Sequence, residues 1–280
     1  MLQQDRYNAI WVSHSSIGDF LKCPRLYFLR NIYKTKDNRK ISLASPFLSL
    51  GTAVHETLEG LAKYRAEERF HRPLEPIFEE NWKNISGKKG GFKSEEEESE
   101  AKERARKMIL MVAENPGPLA KKTVKIKNGE NSALLSFYLS PEENIILCGK
   151  IDWLEYIEKD DSLNVIDFKT GRNDEDGKSL QIPIYMMLLN ALQKRKISGA
   201  AYWYLERQKT PSPVAMPDIQ GAKNRVLSFA RMIKTAKENN NFKCPKGPGG
   251  CFACRPYEKI LRGEAEFIGQ SLDNKEIYLL

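Results

Sequence analysis

The sequence predicts an α/β fold in which a mixed central sheet is flanked by helices. Three observations support it: amphipathic helical patterns begin the chain, strand-like runs fill its middle, and a further helix and strand follow them. This order is typical of a sheet sandwiched between helices. Because 280 residues can bury one large core, we expect residues 1–280 to form a single domain.

The first helices are predicted close to the N-terminus. Ser16 is followed three residues later by Asp19, a spacing typical of a helix start. The inward-facing residues of this helix are predicted to be Ile17, Phe20 and Leu21. Pro24 suits the first turn of a second helix, because the N–H that proline lacks is not needed there.

Residues 50–60 predict a helix that carries a histidine. Its buried face is predicted to hold Val54, Leu58 and Leu61. His55 and Glu59 are four residues apart and therefore lie on one side of the helix. The small residues 51–53 before His55 are interpreted as a turn that permits close backbone approach. Since neutral imidazole binds transition metals such as Mn²⁺, His55 is a candidate metal ligand.

Residues 71–118 are interpreted as a helical insertion. Prolines and a glycine-lysine cluster predict an irregular connection over 71–91; they are Pro73, Pro76 and residues 87–91. Ser94 and the four glutamates after it open a helix that ends near Glu114, with its acids at the positive end of the helix dipole. An Asn-Pro-Gly-Pro sequence then stops this helix.

Strand-like runs follow, and one pair of them carries acidic residues. The runs cover residues 123–127, 133–139, 145–157 and 163–169. Polar residues 158–162 predict a hairpin between the last two runs. Side chains alternate along a strand, so Asp167 and Lys169 share one face and Phe168 points the other way.

Two carboxylates converge if Asp152 lies across from Asp167. Such a pair suits a hard divalent cation, and Lys169 is then close enough to orient a water molecule or to stabilise an anionic transition state. The same pattern also occurs at solvated strand edges and in cross-strand ion pairs, so a purely structural role stays open.

A second apolar helix is predicted to begin at Gln181 and to continue through Leu192. Gln181 and Tyr185 are one helical turn apart and flank its apolar stripe. Both are candidates for contacting a phosphate or stacking on a base. Further predictions are a strand over 200–205, a proline-containing linker over 208–220, and a helix over 222–238.

Four cysteines predict a metal centre. They are Cys23 near the N-terminus and Cys244, Cys251 and Cys254 in a Gly/Pro-rich loop over 239–257. Four thiolates hold either Zn²⁺ or an iron–sulfur cluster, and the spacing does not separate the two. No signal peptide is recognised, so we expect a cytoplasmic protein in which disulfides are rare. Cys148, inside a strand-like run, is predicted to be a buried free thiol.

The overall charge favours a polyanionic partner. The chain has 45 basic and 37 acidic residues, a net charge of +8, and a pI of about 9.1. Arg25, beside Cys23, is a candidate for guiding a nucleic-acid strand. The sequence has no apolar run of the ~20 residues that a membrane span requires, so no membrane partner is expected.

Four motifs together resemble a known family. They are Gly51-Thr52-x-x-His55, Gly149-x-x-Asp152, Asp167-Phe168-Lys169-Thr170-Gly171 and Gln181-x-x-x-Tyr185. In this order they resemble the RecB-like branch of the PD-(D/E)XK nuclease superfamily. One early and three late cysteines are similar to its iron–sulfur subgroup, which includes CRISPR-associated exonucleases and AddB-type recombination nucleases. The resemblance extends from Ser13 to about Tyr257.

The resemblance implies a restriction-endonuclease-like core and a Mg²⁺- or Mn²⁺-dependent DNase. The implied metal ligands are His55, Asp152, Asp167 and the carbonyl of Phe168, with Lys169 assisting the attacking water. Gln181 and Tyr185 are implied to support the site and to contact DNA. The implied substrate is single-stranded DNA or frayed DNA ends, cleaved by an exonuclease.

The resemblance also implies a second cofactor and partners. Cys23, Cys244, Cys251 and Cys254 are implied to bind a 4Fe-4S cluster that joins the two ends of the chain, with Zn²⁺ as the alternative. Family members act in DNA repair, recombination or CRISPR-type processing, which implies a helicase, a CRISPR protein or a recombination protein as partner.

A different class of protein stays open from the sequence. The chain could be a non-catalytic module for nucleic-acid binding or assembly, in which the four cysteines hold a structural zinc ion and the acidic residues stabilise the sheet. The presence of His55, both acids and the lysine together favours the enzyme.

Overall fold

The computed structural model of the protein describes residues 6–126, 134–271 and 273–280. The strands and α-helices of these residues follow in this order: β1 (Ile10–Val12), α1 (His14–Lys22), α2 (Pro24–Tyr27), β2 (Lys40–Leu43), α3 (Pro46–Gly60), α4 (Glu75–Lys83), α5 (Glu95–Glu114), β3 (Leu135–Ser140), β4 (Ile145–Gly149), β5 (Trp153–Ile157), β6 (Ser162–Lys169), α6 (Gln181–Leu192), β7 (Lys196–Tyr204), β8 (Ser212–Pro213), α7 (Ile219–Glu238), α8 (Arg255–Leu261), β9 (Glu266–Gln270) and β10 (Lys275–Leu279).

The strands form mixed sheets. One sheet has the order β5-β6-β7-β8, in which β6 is antiparallel to β5 and parallel to β7. A second has the order β1-β4-β3, with β4 parallel to β1 and antiparallel to β3. The mixed α/β architecture confirms the predicted fold class and agrees with a restriction-endonuclease-like core.

Helices cover both faces of the β5-β6-β7-β8 sheet. Val165 of β6 joins a core with α6 and α7, whereas Ile166 and Phe168 join a second core with α3, α4 and α5. Tyr202 and Trp203 of β7 divide between the two cores in the same way. This alternation is the period of a strand buried on both faces. It directs Asp167 toward the α6 layer.

The predicted continuous strand over 145–157 is wrong, because the chain breaks at residues 150–152. β4 ends at Gly149, and β5 begins at Trp153 in a different sheet. A Cβ atom at position 149 would lie 3.0 Å from Cδ1 of Leu188, so glycine allows α6 to pack closely where β4 ends. The three residues of the break, which include Asp152, are therefore outside the strand ladder.

The predicted start of α1 is also displaced. Ser13 caps the helix: its hydroxyl accepts the Ser16 N–H at 3.2 Å, and the Ser16 hydroxyl accepts the Ser13 N–H at 2.9 Å. Asp19 instead accepts hydrogen bonds from Arg30 at 2.6 Å and Asn31 at 3.1 Å. The acid that was interpreted as part of a cap therefore ties α1 to the segment that follows α2.

The predicted irregular connection over 71–91 contains a helix, α4. Pro76 lies in the first turn of α4, where proline is tolerated. Phe78 and Trp82 are four residues apart and bury one face of α4 in the core shared with α3 and α5. Pro76 therefore marks a helix start rather than a helix-free segment. The helix predicted from Ser94 to Glu114 is confirmed as α5.

Two other predicted segments differ in part. Within the described part of the run 123–127, Thr123 makes an isolated bridge to Glu155 and no strand forms. Lys127 lies outside the described residues, as does Ala133 of the run 133–139. Within the predicted linker 208–220, β8 pairs with β7. The helices predicted from Gln181 and over 222–238 are confirmed as α6 and α7.

A third sheet joins distant parts of the chain and was not predicted. Its order is β2-β10-β9, and β2 and β10 are parallel. β10 is a short strand whose partners are separated from one another by most of the sequence, so no local turn pattern indicates it. Of the helices within the described residues, none has the length and apolar character needed to cross a membrane.

Candidate functional site

α3 carries the histidine of the site. The residues interpreted as a turn, 51–53, lie inside this helix, so that interpretation is wrong. Its physical point holds nevertheless, since a Cβ atom at Gly51 would lie 3.2 Å from Oγ1 of Thr170. Glycine thus lets α3 approach the segment that directly follows β6.

His55 joins two carboxylates. Its Nδ1 is 3.3 Å from Oε1 of Glu59 and 3.5 Å from Oδ1 of Asp152. Burial opposes protonation of His55, but its hydrogen bonds to Asp152 and Glu59 and their charges raise its pKa to about 10. The second oxygen of Glu59 accepts a contact of 2.6 Å from Lys150. Ligand atoms of His55, Glu59 and Asp152 lie within 4.8 Å of one another.

Asp152 is fixed by the end of the neighbouring strand. Its Oδ2 accepts the backbone N–H of Phe168 at 2.8 Å. Because Asp152 lies in the break between β4 and β5, its side chain can turn toward β6 instead of following the alternation of a strand. The Phe168 ring packs edge-on at 5.8 Å from the His55 ring, measured between centroids. Three separate segments therefore meet here.

Asp167 lies on β6, one residue before Phe168, and is 1% exposed. Its Oδ1 accepts a hydrogen bond of 3.1 Å from the Tyr185 hydroxyl. Its Oδ2 is 3.0 Å from Nζ of Lys169 but makes no well-directed hydrogen bond with any described residue. Burial, followed by the charge of Asp152, raises the pKa of Asp167 to about 7.

Lys169 is held by three oxygen atoms. Nζ lies 3.0 Å from Asp167, 2.9 Å from Glu175 and 2.6 Å from Oε1 of Gln181. Burial disfavours the ammonium form, but the charge of Asp167 and the contacts with Glu175 outweigh it and raise the pKa of Lys169. The lysine is therefore a fixed cation directed toward the carboxylates.

Gln181 and Tyr185 belong to this network. Gln181 accepts from Lys169 through Oε1 and donates from Nε2 to the Tyr185 hydroxyl at 2.9 Å. Tyr185 is 5% exposed, so its ring has no free face for a base, and the prediction that it stacks on one is wrong. The structure instead gives both residues a supporting position behind Asp167 and Lys169.

The donor set fits a hard divalent cation. The ligand atoms of His55, Glu59 and Asp152 form one close group, which does not include Asp167. Asp167 keeps a buried oxygen without a directed donor among the described residues, and the repulsion between Asp152 and Asp167 favours a positive charge between them. His55 must be neutral to bind a metal, so protonation and metal binding compete at this ring. The role of the Phe168 carbonyl as a ligand stays a prediction.

The four predicted cysteines also come together. Sulfur atoms of Cys23, Cys244, Cys251 and Cys254 lie within 4.8 Å of one another, and all five cysteines of the chain are in the described residues and unpaired. Backbone N–H groups, first that of Cys254, lower the pKa of Cys251 to about 6. Cys148 is buried in β4 and is not part of this cluster, as predicted.

The loop around these cysteines depends on one glycine. Gly250 has a φ of 69°, and a Cβ atom there would lie 3.1 Å from Sγ of Cys254.

The spacing of the four sulfur atoms can be compared with that of known centres. Four thiolates around one zinc ion, with Zn–S bonds of about 2.3 Å, are about 3.8 Å apart. The four corners of an iron–sulfur cluster are wider. Sulfur separations below 4.8 Å are close enough for a metal ion or a cluster, and they are nearer to those around a single tetrahedral ion.

Arg25 has a structural partner. Its guanidinium binds both carboxylate oxygens of Glu258 on α8, at 2.5 and 3.2 Å, and packs over the Phe28 ring. This ion pair clamps α2 to α8 beside the cysteines. The structure brings Arg25 to the cysteine cluster rather than among the carboxylates, and its predicted role in guiding a strand has no support in these contacts.

The sequence analysis missed three charged residues of the site. Glu59 was noted only for its spacing from His55, while Lys150 and Glu175 were not considered. Lys150 could have been found from its place between Gly149 and Asp152. Glu175 follows β6 in a polar stretch, and no local pattern distinguishes it from its neighbours.

The comparison with known families agrees with this geometry. A family model described as the PD-(D/E)XK nuclease superfamily matches residues 11–259. The matched region includes all residues of the carboxylate site and the four clustered cysteines.

Proposed function

Because this chain belongs to the PD-(D/E)XK nuclease superfamily, we propose that it is a Mg²⁺- or Mn²⁺-dependent exonuclease acting on single-stranded or frayed DNA ends. One chain of contacts supports this most directly: His55 contacts Asp152, Asp152 accepts the backbone N–H of Phe168, and the residues on either side of Phe168, Asp167 and Lys169, contact each other. The proposal includes the RecB-like branch and a cytoplasmic role in DNA repair, recombination or CRISPR-type processing, with a helicase, CRISPR or recombination protein as partner.

The proposed reaction is hydrolysis of a DNA phosphodiester by water. His55, Asp152, Asp167 and the Phe168 carbonyl are the proposed ligands of a divalent cation, which when bound lowers the pKa of a water molecule and offsets charge on the phosphate. The ammonium group of Lys169 orients that water or stabilises the negative charge that develops in the transition state. Attack in line with the leaving oxygen breaks the P–O bond and releases a hydroxyl and a phosphate end.

The remaining contacts position these groups. Tyr185 donates to Asp167 and keeps its carboxylate oriented, and Gln181 accepts from Lys169 and fixes the direction of the amine. Glu175 balances the lysine from the other side. Such support matters because a displacement of about 1 Å at a reacting group can cost about 100-fold in rate.

A chelator-controlled digestion of labelled DNA tests the proposal. The full chain is incubated with linear single strands, linear duplex and circular single strands, with Mg²⁺, Mn²⁺ or EDTA. We expect metal-dependent degradation of linear strands and intact circles. Asp167→Asn and Lys169→Ala should each lower the rate by about 100-fold or more, because each removes a charge at the reacting phosphate.

Matched controls are available on the exposed turn and edge beside β5. Asp161→Asn is the control for the aspartate, because Asp161 pairs with Arg195 on an exposed turn. Lys122→Ala is the control for the lysine, because Lys122 pairs with Glu158 at the surface. Both should retain the wild-type rate. Cleavage of circles would exclude the exonuclease, and full activity of the Asp167 or Lys169 variant would exclude the site. DNA binding without cleavage under any metal would favour the non-catalytic module.

The cysteine cluster is proposed to hold a metal centre. The resemblance to the iron–sulfur subgroup favours a 4Fe-4S cluster, whereas sulfur separations below 4.8 Å favour one zinc ion. Anaerobic purification followed by iron, sulfide and zinc analysis distinguishes them. A brown protein with four irons supports the cluster, and a colourless protein with one zinc supports the structural ion.

A further inference from the structure

One side of α3 continues the site beyond His55. Four residues spaced four apart lie along it, namely Phe47, Gly51, His55 and Glu59. His55 contacts Asp152, and Gly51 approaches Thr170 as described above. At the start of the stripe, a Cβ atom at Gly171 would lie 3.6 Å from Cζ of Phe47, so the tip of this ring packs against Gly171. The stripe therefore follows the chain that leaves β6.

Phe47 is a large apolar residue whose side chain is not part of the buried core clusters. It is 55% exposed, whereas the other apolar residues of α3 that face its neighbours α4 and α5 are buried. Helix geometry of about 1.5 Å per residue places it roughly 12 Å along α3 from His55. A short stretch of extended nucleic-acid strand spans that distance. More than half of the Phe47 side chain is therefore open to whatever enters the site.

A groove connects Phe47 to the catalytic lysine. Its volume is about 780 Å³, and it is lined by Phe47, Lys169, Thr170, Arg104 and Arg172 among others. Its volume can hold an unpaired nucleotide, and Phe47 and Lys169 both line it.

The two arginines that line this groove differ in how firmly they are paired. Arg104 binds both oxygens of Glu206 and the carbonyl of Thr170, so its charge is balanced. Arg172 is 4.0 Å from Glu206, at the limit of ion pairing, and its side chain is 77% exposed.

The acids that line the groove are themselves paired. Asp174 binds Arg207, and Glu175 binds Lys169. An anionic backbone therefore meets the exposed guanidinium of Arg172, whose one contact with Glu206 is long, rather than unpaired carboxylates.

Resting on the proposed nuclease function, the geometry points to Phe47 as a stacking platform for one base of single-stranded DNA beside the scissile phosphate, with Arg172 binding a neighbouring phosphate. A base in a duplex already has both faces covered, so it cannot stack on Phe47 without being unpaired. An exposed ring accepts any base, because every base has a π-face. The platform therefore selects for unpaired strands without reading sequence.

Binding measured without cleavage tests the inference separately from the activity. Fluorescence anisotropy is recorded in EDTA with a labelled single-stranded oligonucleotide and with a blunt duplex of the same sequence. Phe47→Ala should weaken single-strand binding by about tenfold or more, as loss of a stacking aromatic does elsewhere, and should change duplex binding little. Phe47→Trp should restore single-strand binding.

Leu48→Ala is the matched control for the apolar change. Leu48 follows Phe47 on the same exposed turn and is 54% exposed, but it lies off the stripe. This variant should bind like the wild type. Because both side chains lie at the surface, neither substitution disturbs the core, and thermal melting verifies that the variants are folded.

Arg172→Ala tests the phosphate contact. It should weaken binding and reduce the slope of log affinity against log salt by about one. Arg195→Ala is the control for the loss of an arginine. Arg195 pairs with Asp161 next to the start of β6, whereas Lys169 lies at the end of this strand.

Several results overturn the inference. If Phe47→Ala binds single strands as the wild type does while the wild type cleaves DNA, the platform is wrong and the nuclease function stands. Equal weakening by Leu48→Ala would also overturn it, since the effect would then come from a general apolar patch. If the wild type shows no metal-dependent cleavage at all, the proposed function itself fails, whatever Phe47 contributes to binding.

Discussion

At the scale of single residues, the Tyr185 hydroxyl connects the helix layer to the carboxylate site. It donates to Asp167 and accepts from Gln181, which in turn accepts from Lys169. Burial, followed by the charges of Asp167 and Asp152, raises the pKa of Tyr185 well above its ordinary value. The phenol therefore stays protonated and acts as a donor. One hydroxyl thus contacts the carboxylate of Asp167 directly and Lys169 through Gln181.

Tyr185→Phe should lower kcat while the protein remains folded. The variant keeps the buried ring but leaves Asp167 without its donor, and a hydrogen bond to a charged group contributes about 1.5–3 kcal/mol. If this free energy is lost in the transition state, kcat falls about tenfold or more. Steady-state cleavage of a linear single strand measures it. Tyr156→Phe, which removes a hydroxyl that binds Asp161 on an exposed turn, is the control.

The contrary outcome is equally clear. A Tyr185→Phe protein with the wild-type kcat and the wild-type metal requirement would show that Asp167 is oriented without this bond. The network would then be part of the packing between α6 and β6 and not part of the active site.

At the scale of elements, α5 supports the wall of the groove. Its N-terminus is capped by Ser94, whose hydroxyl accepts the Glu97 N–H at 3.2 Å, and four glutamates lie in its first turn. Farther along, Arg104 donates to Thr170 and Glu206. The apolar face of α5 packs with α3 and α4. The cap of α5 therefore helps to hold the helix that borders the Lys169–Gly171 segment.

Ser94→Ala should destabilise the protein by about 1 kcal/mol, because one N–H at the start of α5 loses its acceptor. Urea unfolding followed by circular dichroism measures the change in the free energy of unfolding. Ser99→Ala in the same helix is exposed and removes no cap, and alanine has the higher helix propensity, so it should be neutral or slightly stabilising. Equal effects of the two substitutions would show that the cap contributes nothing.

At the scale of the whole molecule, the cysteine cluster and one sheet join distant parts of the chain. The cysteine cluster links Cys23, between α1 and α2, to the loop before α8. The β2-β10-β9 sheet joins the region before α3 to the C-terminus. We keep the proposal of one nuclease domain over 1–280, with 71–118 as an insertion, 208–220 as a linker and 239–257 as the metal loop.

Cys23→Ser should lower the melting temperature and the metal content together. A ligand that binds only the folded chain stabilises it, so removing one thiolate weakens both the centre and the fold. Cys148→Ser is the control, since Cys148 is a buried thiol of β4 outside the cluster. Differential scanning calorimetry and metal analysis of the two variants provide the measurements. Identical melting and identical metal content would exclude a structural role for the centre.

Local rules were sufficient for part of the site. The alternation along β6 predicted that Asp167 and Lys169 share a face, and helical spacing predicted that His55 and Glu59 meet; contacts of 3.0 and 3.3 Å confirm both. The start of α5 at Ser94 was predicted for the same reason. These features depend on neighbours within about one turn or two strand residues, and the sequence displays such neighbours directly.

Other features depend on what packs from far away. The break at residues 150–152 resembles a continuing strand, because its apolar neighbours are buried in either case, and only the packing of α6 against Gly149 explains it. Pro76 was interpreted as part of an irregular segment because the core that buries Phe78 and Trp82 is not visible in the local pattern. Glu175 reaches Lys169 through the path of the loop after β6.

The sequence by itself determined the layered α/β fold, which carboxylates and cysteines are candidate metal ligands, and the family that their order resembles. Each of these is written in residue type and short spacing. The tertiary structure alone decided that Asp152 leaves its strand to reach Phe168, that Tyr185 is buried behind Asp167, and that Phe47 lies exposed beside Gly171. The physical reason is that these positions result from the packing of α3 and α6 against β6, which involves residues far apart in the chain.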